Sequence, residues 1–128
     1  MNRSLMVLAA LLLPMQVSVA QQEKVSGIFA DRETASLSYP DKLAAREAER
    51  AALVSGEIVT GYEWKGPDGA SGTVIVGGLV ADTLSATFCR RFIHVVHHKN
   101  DGGLNPTFVG TLCRGVDGRW TLRERISG

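Results

Sequence analysis

Residues able to carry chemistry are scarce in this 128-residue chain, which has three histidines and two cysteines. The histidines, His94, His97 and His98, crowd one stretch. On a strand His94 and His98 share a face while His97 points away, so the trio does not converge on a metal. Ser71 and Ser85 lie in loops, without the nucleophile-elbow context that would pair them with a histidine and a carboxylate. Glu63, Asp68 and Asp82 have no spacing that pairs them for acid–base work. The glycines of 66–72 and the Gly77-Gly78 pair are turn glycines and not a phosphate loop, because no helix follows them. These absences leave no catalytic residues, no metal ligands and no cofactor motif to nominate, and the chain reads as a non-enzyme.

A second hydrophobic run is also missing. The first, Leu5 to Leu13, is far shorter than the roughly 20 apolar residues that span a bilayer. Arg3 precedes it, and Pro14 to Ala20 follows, ending in Ser18-Val19-Ala20 with small residues where a signal peptidase reads. Residues 1–20 are therefore expected to be a signal peptide. The mature chain is expected in the periplasm or at the outer membrane, with no transmembrane segment. No cysteine lies near the cleavage point, which argues against a lipid anchor.

Charge of one sign is not in excess overall, with 14 basic and 13 acidic residues. It is segregated along the chain, however. Residues 21–85 hold six basic and ten acidic side chains, and residues 86–128 hold seven basic and three acidic. Such asymmetry suits an anionic partner or head-to-tail association. Nucleic acid is a poor fit for an exported chain.

What is present reads as a helix followed by strands. Residues 21–40 are weakly patterned and are expected as an extended arm or linker ending at Pro40. Asp41 to Val54 is rich in Ala, Leu, Glu and Arg, begins after Pro40 and stops before Gly56, which predicts a helix. Leu43, Ala44, Ala48, Ala51 and Ala52 give it a shallow apolar side. From Glu57 the period changes to two. Strands are expected from Glu57 to Trp64, Thr73 to Val76, Ala86 to His98, Thr107 to Arg114 and Arg119 to Ile126, with a turn at 66–69. The fold class is α+β, mainly β: an N-terminal helix and a single antiparallel β-meander of about five strands, forming one domain over residues 41–128.

Two turn signals set the register of the last three strands. Pairing Cys89 with Cys113 centres the hairpin on Asp101, inside a turn-like Lys99–Gly103, and opposes Ile93 with Val109, His94 with Phe108 and Phe92 with Gly110. Asp117-Gly118, read as a two-residue loop, opposes Cys113 with Leu122, Val109 with Ile126 and Gly115 with Trp120. One face then carries Cys89, Ile93, Val95, Val109, Cys113, Trp120, Leu122 and Ile126. A buried disulfide between Cys89 and Cys113 is expected there, with an Arg91–Glu124 ion pair at its edge.

The opposite face carries Phe88, Arg90, Phe92, His94, Phe108, Leu112, Arg114, Arg119, Arg123 and Arg125. Phe88, Arg90, Phe92, Arg114, Arg119, Arg123 and Arg125 form the candidate binding surface, for an anionic sugar, phosphate or acidic protein. The competing reading lays the helix over them, with Glu47 and Glu49 neutralising the arginines.

The series Phe88-Cys89-Arg90, Gly110-x-x-Cys113-Arg114 and Asp117-Gly118-x-Trp120, preceded by Trp64 and Gly72, resembles the C-terminal domain of the 17-kDa surface antigen family of Gram-negative envelope proteins. The resemblance spans residues 57–126. It implies an envelope β-domain without known chemistry. The chain lacks the lipoprotein cysteine and the glycine-rich segment usual before that domain. The function expected on these grounds is a non-enzymatic envelope module holding a protein or an anionic envelope polymer. The alternative is a disulfide-stapled inhibitor of a hydrolase such as lysozyme, plugging the cleft with its Lys99–Pro106 loop.

Overall fold

Ser38 starts the helix. Its hydroxyl accepts a hydrogen bond from the Asp41 amide at 3.3 Å, and its carbonyl accepts from Lys42 at 2.9 Å. The helix, α1, therefore spans Tyr39–Ser55 and begins two residues before the expected start. Pro40 is tolerated in the first turn, where an amide proton has no intrahelical acceptor. Asp41, Ala45, Ala48, Glu49, Ala52 and Leu53 form the buried stripe, while Leu43 points outward. The computed structural model describes residues 27–55, 61–80, 88–99 and 105–127. The expected signal peptide, the start of the arm and the tip of the 99–106 loop lie outside the described residues.

Among the described residues five strands follow: β1 Gly61–Lys65, β2 Ser71–Val80, β3 Phe88–His97, β4 Thr107–Arg114 and β5 Trp120–Ser127. They form one antiparallel sheet in the order β1-β2-β3-β4-β5, and with α1 they make the α+β meander the sequence predicts. The β1–β2 turn closes through Gly66 N to Ala70 O at 2.8 Å, with Gly69 at φ 108°. Strand β2 runs past its expected end at Gly77-Gly78. A bulge between Val76 and Leu79 absorbs the two glycines, and pairing with β3 resumes at Leu79 and Val80.

The β3–β4 register is the expected one: Cys89 opposes Cys113, Phe92 opposes Gly110, Ile93 opposes Val109 and His94 opposes Phe108. The disulfide joins the two facing cysteines, with a Cα–Cα distance of 4.0 Å.

The β4–β5 register differs, and the loop explains why. Gly115 N donates to Arg119 O at 2.9 Å and Gly118 N to Gly115 O at 3.0 Å, with Gly118 at φ 82°. The loop is thus three residues, Val116-Asp117-Gly118, a turn followed by a left-handed glycine, where two were expected. Arg114 opposes Trp120, Leu112 opposes Leu122 and Thr121 opposes Cys113. A one-residue slip moves side chains to the other face, so Trp120 and Leu122 leave the cysteine face. Bulges at Leu112/Thr111 and Gly110/Val109 then pair Thr111 with Glu124 and Val109 with Ser127, not Ile126.

The core consequently lies on the face opposite to the expected one. Trp64, Val74, Val76, Phe92, Val96, Phe108, Leu112 and Trp120 pack beneath α1 and the preceding segment. That segment, Gly27 to Ser38, is a packed series of turns where an extended arm was expected. Ala30 and Leu37 enter the core, and the Phe29 ring meets Phe92 edge-on at 5.9 Å. Two glycines on this face make room for large rings. Gly110 sits beside Phe92, and Gly72 sits opposite Trp64, where an added Cβ would come within 2.5 Å of Trp64 Nε1 and Val95 O. The other face holds the disulfide with half-buried Ile75, Ile93, Val95 and Val109.

Candidate functional site

Three carboxylates point inward from the first third of the described chain, and each binds backbone or a basic partner. Asp41 accepts amide protons from Asp68 at 2.9 Å and Ala70 at 3.1 Å, tying the start of α1 to the β1–β2 turn. Its carboxylate lies where a Cβ on Gly66 would be, which is why the turn begins with glycine. Glu33 accepts from Arg125 at 3.0 Å through Oε2, while its other oxygen, Oε1, is buried with no partner among the described residues.

Glu49 is the third, and it is fully buried. Its Oε1 accepts the Phe29 amide at 2.7 Å, and its Oε2 accepts the Ala30 amide at 3.2 Å and His94 Nδ1 at 2.7 Å. The far nitrogen of His94, Nε2, accepts the indole proton of Trp64 at 2.9 Å. Because an indole N–H only donates, His94 carries its proton on Nδ1 and gives it to Glu49. The chain Trp64–His94–Glu49 thus links β1, β3, α1 and the N-terminal turns, with every donor matched to an acceptor. A histidine beside a carboxylate is the nearest approach here to acid–base machinery. His94 and Glu49 are both 0% exposed, however, so substrate has no route to the pair.

Glu47 and Glu49 do not neutralise the arginines of the sheet. Glu47 lies on the outer side of α1 and pairs with Arg50 at 2.7 Å. The hydrogen bond from Arg50 holds the Glu47 carboxyl below its ordinary range, and the same bond raises Arg50. The other two histidines also work locally. His97 Nδ1 donates to Asn105 Oδ1 at 2.6 Å, and His98 Nε2 donates to the Glu33 carbonyl at 3.0 Å. No group of three or more His, Cys, Asp or Glu side chains could hold a metal among the described residues.

The candidate binding residues do not form one open surface. Phe92 is completely buried. Arg125 is mostly buried, stacked on Phe108 at 4.6 Å and paired with Asp31 and Glu33. Arg119 is exposed on the β4–β5 loop beside Asp117. Arg123 belongs to the cysteine face, where it borders a groove of about 310 Å³ over the disulfide with Val80, Arg91, Thr111 and Glu124. Arg91, Thr111 and Glu124 stand in the expected row, but both charged side chains are exposed and form no ion pair with each other, an exposed pair gaining little over separate solvated charges.

Phe88, Arg90 and Arg114 remain together, and the shifted register adds Trp120 to them. The Arg90 and Arg114 guanidiniums lie 4.9 and 5.1 Å from the Phe88 centroid, and Phe88 meets Trp120 edge-on at 6.1 Å. Alternation places the first three on one face. Trp120 was missed because its face depends on the loop length. Glu49 could have been noticed as an acid within the buried helix stripe at 41, 45, 48 and 52.

A second cavity, of about 360 Å³, lies between Ser36–Ser38, the 68–70 turn and His98-Lys99. Among the described residues no helix is long and apolar enough to cross a membrane. No protein-family model, curated protein or solved structure matches this chain.

Proposed function

We propose that this chain is an exported, non-enzymatic module of a Gram-negative-type envelope, working in the periplasm or at the outer membrane by holding another macromolecule. The observation carrying this reading is where the polar chemistry has gone. Glu49, His94 and Asp41 are buried and bound to backbone or to each other, as interior struts. Among the described residues, half-buried arginines lie against aromatic rings at one end of the sheet, a surface suited to recognition. A disulfide suits an oxidising compartment, and the N-terminal residues have the pattern of a secretory signal. The likeness to the surface antigen domain points to the same compartment.

Expression of the full chain in a Gram-negative host tests the reading. Fractionation with mass spectrometry should find a chain starting near Gln21, without free thiols, outside the cytoplasm. Cross-linking in intact cells should join it to one envelope component of defined mass. An unprocessed cytoplasmic chain, or only monomer after cross-linking, would overturn the proposal.

A further inference from the structure

α1 carries a second stripe, on the side of its cylinder opposite the buried one. Leu43, Glu47, Arg50 and Val54 succeed one another at the four-three-four spacing of a coiled-coil seam. Leu43 is 42% exposed, Val54 41% and the Glu47 side chain 63%, while Arg50 is half-buried. Single exposed aliphatics are ordinary on a protein surface, so it is their order that informs. The two aliphatics stand at the ends of the stripe and the two opposite charges stand between them. That order is self-complementary. A second copy of the helix, laid antiparallel about an axis at the level of Ala48 and Glu49, sets Leu43 against Val54 at both ends. It sets Glu47 against Arg50 at both inner positions.

We infer that the outer face of α1 is the contact between two copies of this chain, packed antiparallel about a two-fold axis. Each half of such a contact presents the same surface and supplies what the other half needs. The in-chain Glu47–Arg50 pair, at 2.7 Å, becomes half of a closed ring of four alternating charges. Antiparallel packing also sets each helix N-terminus beside the partner's C-terminus, where the macrodipoles attract. Ala44 and Ala51 border the seam on one side, and their small side chains let the two helices approach. Lys42 and Arg46 border it on the other. From Leu43 to Val54 the seam runs about 17 Å, which is short of a standard interface and makes the dimer weak. An anionic membrane would also attract Lys42, Arg46 and Arg50, but exposed Glu47 at the centre of the stripe opposes it. The contact uses none of the residues at the arginine–aromatic end of the sheet, and so goes beyond the binding function proposed above.

The test is sedimentation velocity on the oxidised chain secreted from a Gram-negative host, from about 10 µM to about 1 mM. The sedimentation coefficient of the wild type should rise with concentration, from the monomer toward the dimer value. E47R and R50E each leave like charges facing across the seam, and either should weaken association about tenfold or more. Mixing these two variants should restore association, because each then faces its opposite. The double exchange E47R/R50E should restore it as well. E63R makes the E47R charge change on β1 and should leave association unaltered. Thermal melts confirm that each variant is folded, and one that fails to fold is replaced by L43E or V54E, which should abolish the dimer. Monomer over the whole range, equal weakening by E63R, or no recovery on mixing would each overturn the contact. A monomer that co-sediments with phosphatidylglycerol vesicles would also overturn it, giving the face to a membrane.

Discussion

The two faces of the sheet are closed by different physics. The face beneath α1 is sealed by aromatic and aliphatic side chains around a polar strut, Trp64–His94–Glu49, whose burial is tolerated because each donor meets an acceptor. The face behind it has β-branched side chains, half-exposed, and a covalent bond between β3 and β4. The first face depends on packing and complete hydrogen bonding, so damage to one member spreads. The second depends on a cross-link that acts chiefly by restricting the unfolded chain, so its loss lowers stability without rearranging the native contacts.

The comparison can be broken most severely at Glu49. E49A leaves the Phe29 and Ala30 amides and the His94 Nδ1 proton without an acceptor in a dry interior. It should cost about 3–5 kcal/mol, seen as a large drop in the urea midpoint and loss of the native tryptophan spectrum. A small loss would mean that water replaces the carboxylate and that the strut is not the organising element of its face.

Replacing both cysteines by alanine should cost less, about 3 kcal/mol for a separation of 24 residues. The variant should keep the wild-type tryptophan emission, because Trp64 and Trp120 lie on the other face. A shifted emission maximum in the folded variant would show that the faces are coupled.

G72A sharpens the contrast from within the core face. Its methyl would enter the space of Trp64 Nε1 and Val95 O, displacing the indole from His94 at a cost of about 2 kcal/mol. Trp64 emission should shift while the disulfide stays intact. An unchanged spectrum and midpoint would refute the close approach of ring to strand.

The smallest effect belongs to neither face. E47Q removes an exposed pair from α1 and should cost only about 0.3 kcal/mol, and less at high salt. The Glu47 carboxyl is held below its ordinary range in the folded chain, so its contribution is present above the unfolded carboxylate value. It is lost as pH falls through the lower folded value. Comparing E47Q with wild type at neutral and acidic pH should show the difference vanish on the acid side.

How much of this was readable from residues alone depended on whether local signals sufficed. The β3–β4 pairing and the disulfide were readable because the cysteines and the turn residues independently give one register. The β4–β5 pairing was not, since Asp117-Gly118 serves both a two-residue loop and the last positions of a three-residue one, and Gly118 at φ 82° suits either. That single residue decided where Trp120 and Leu122 point, and with them which face looked like the core. Phe88, Arg90 and Arg114 could be grouped from alternation on paired strands. The buried strut could not, because Glu49 and His94 are 45 residues apart and only the packing of α1 brings them together.

The bond from Trp64 to His94 also makes the molecule report on its own opening. The proton of an indole nitrogen 2.9 Å from a buried ring nitrogen exchanges with solvent only when β1 or α1 lifts away. Its disappearance in heavy water would therefore time the rarest motions of the native state. That one resonance would tell whether occupation of a distant surface quiets them.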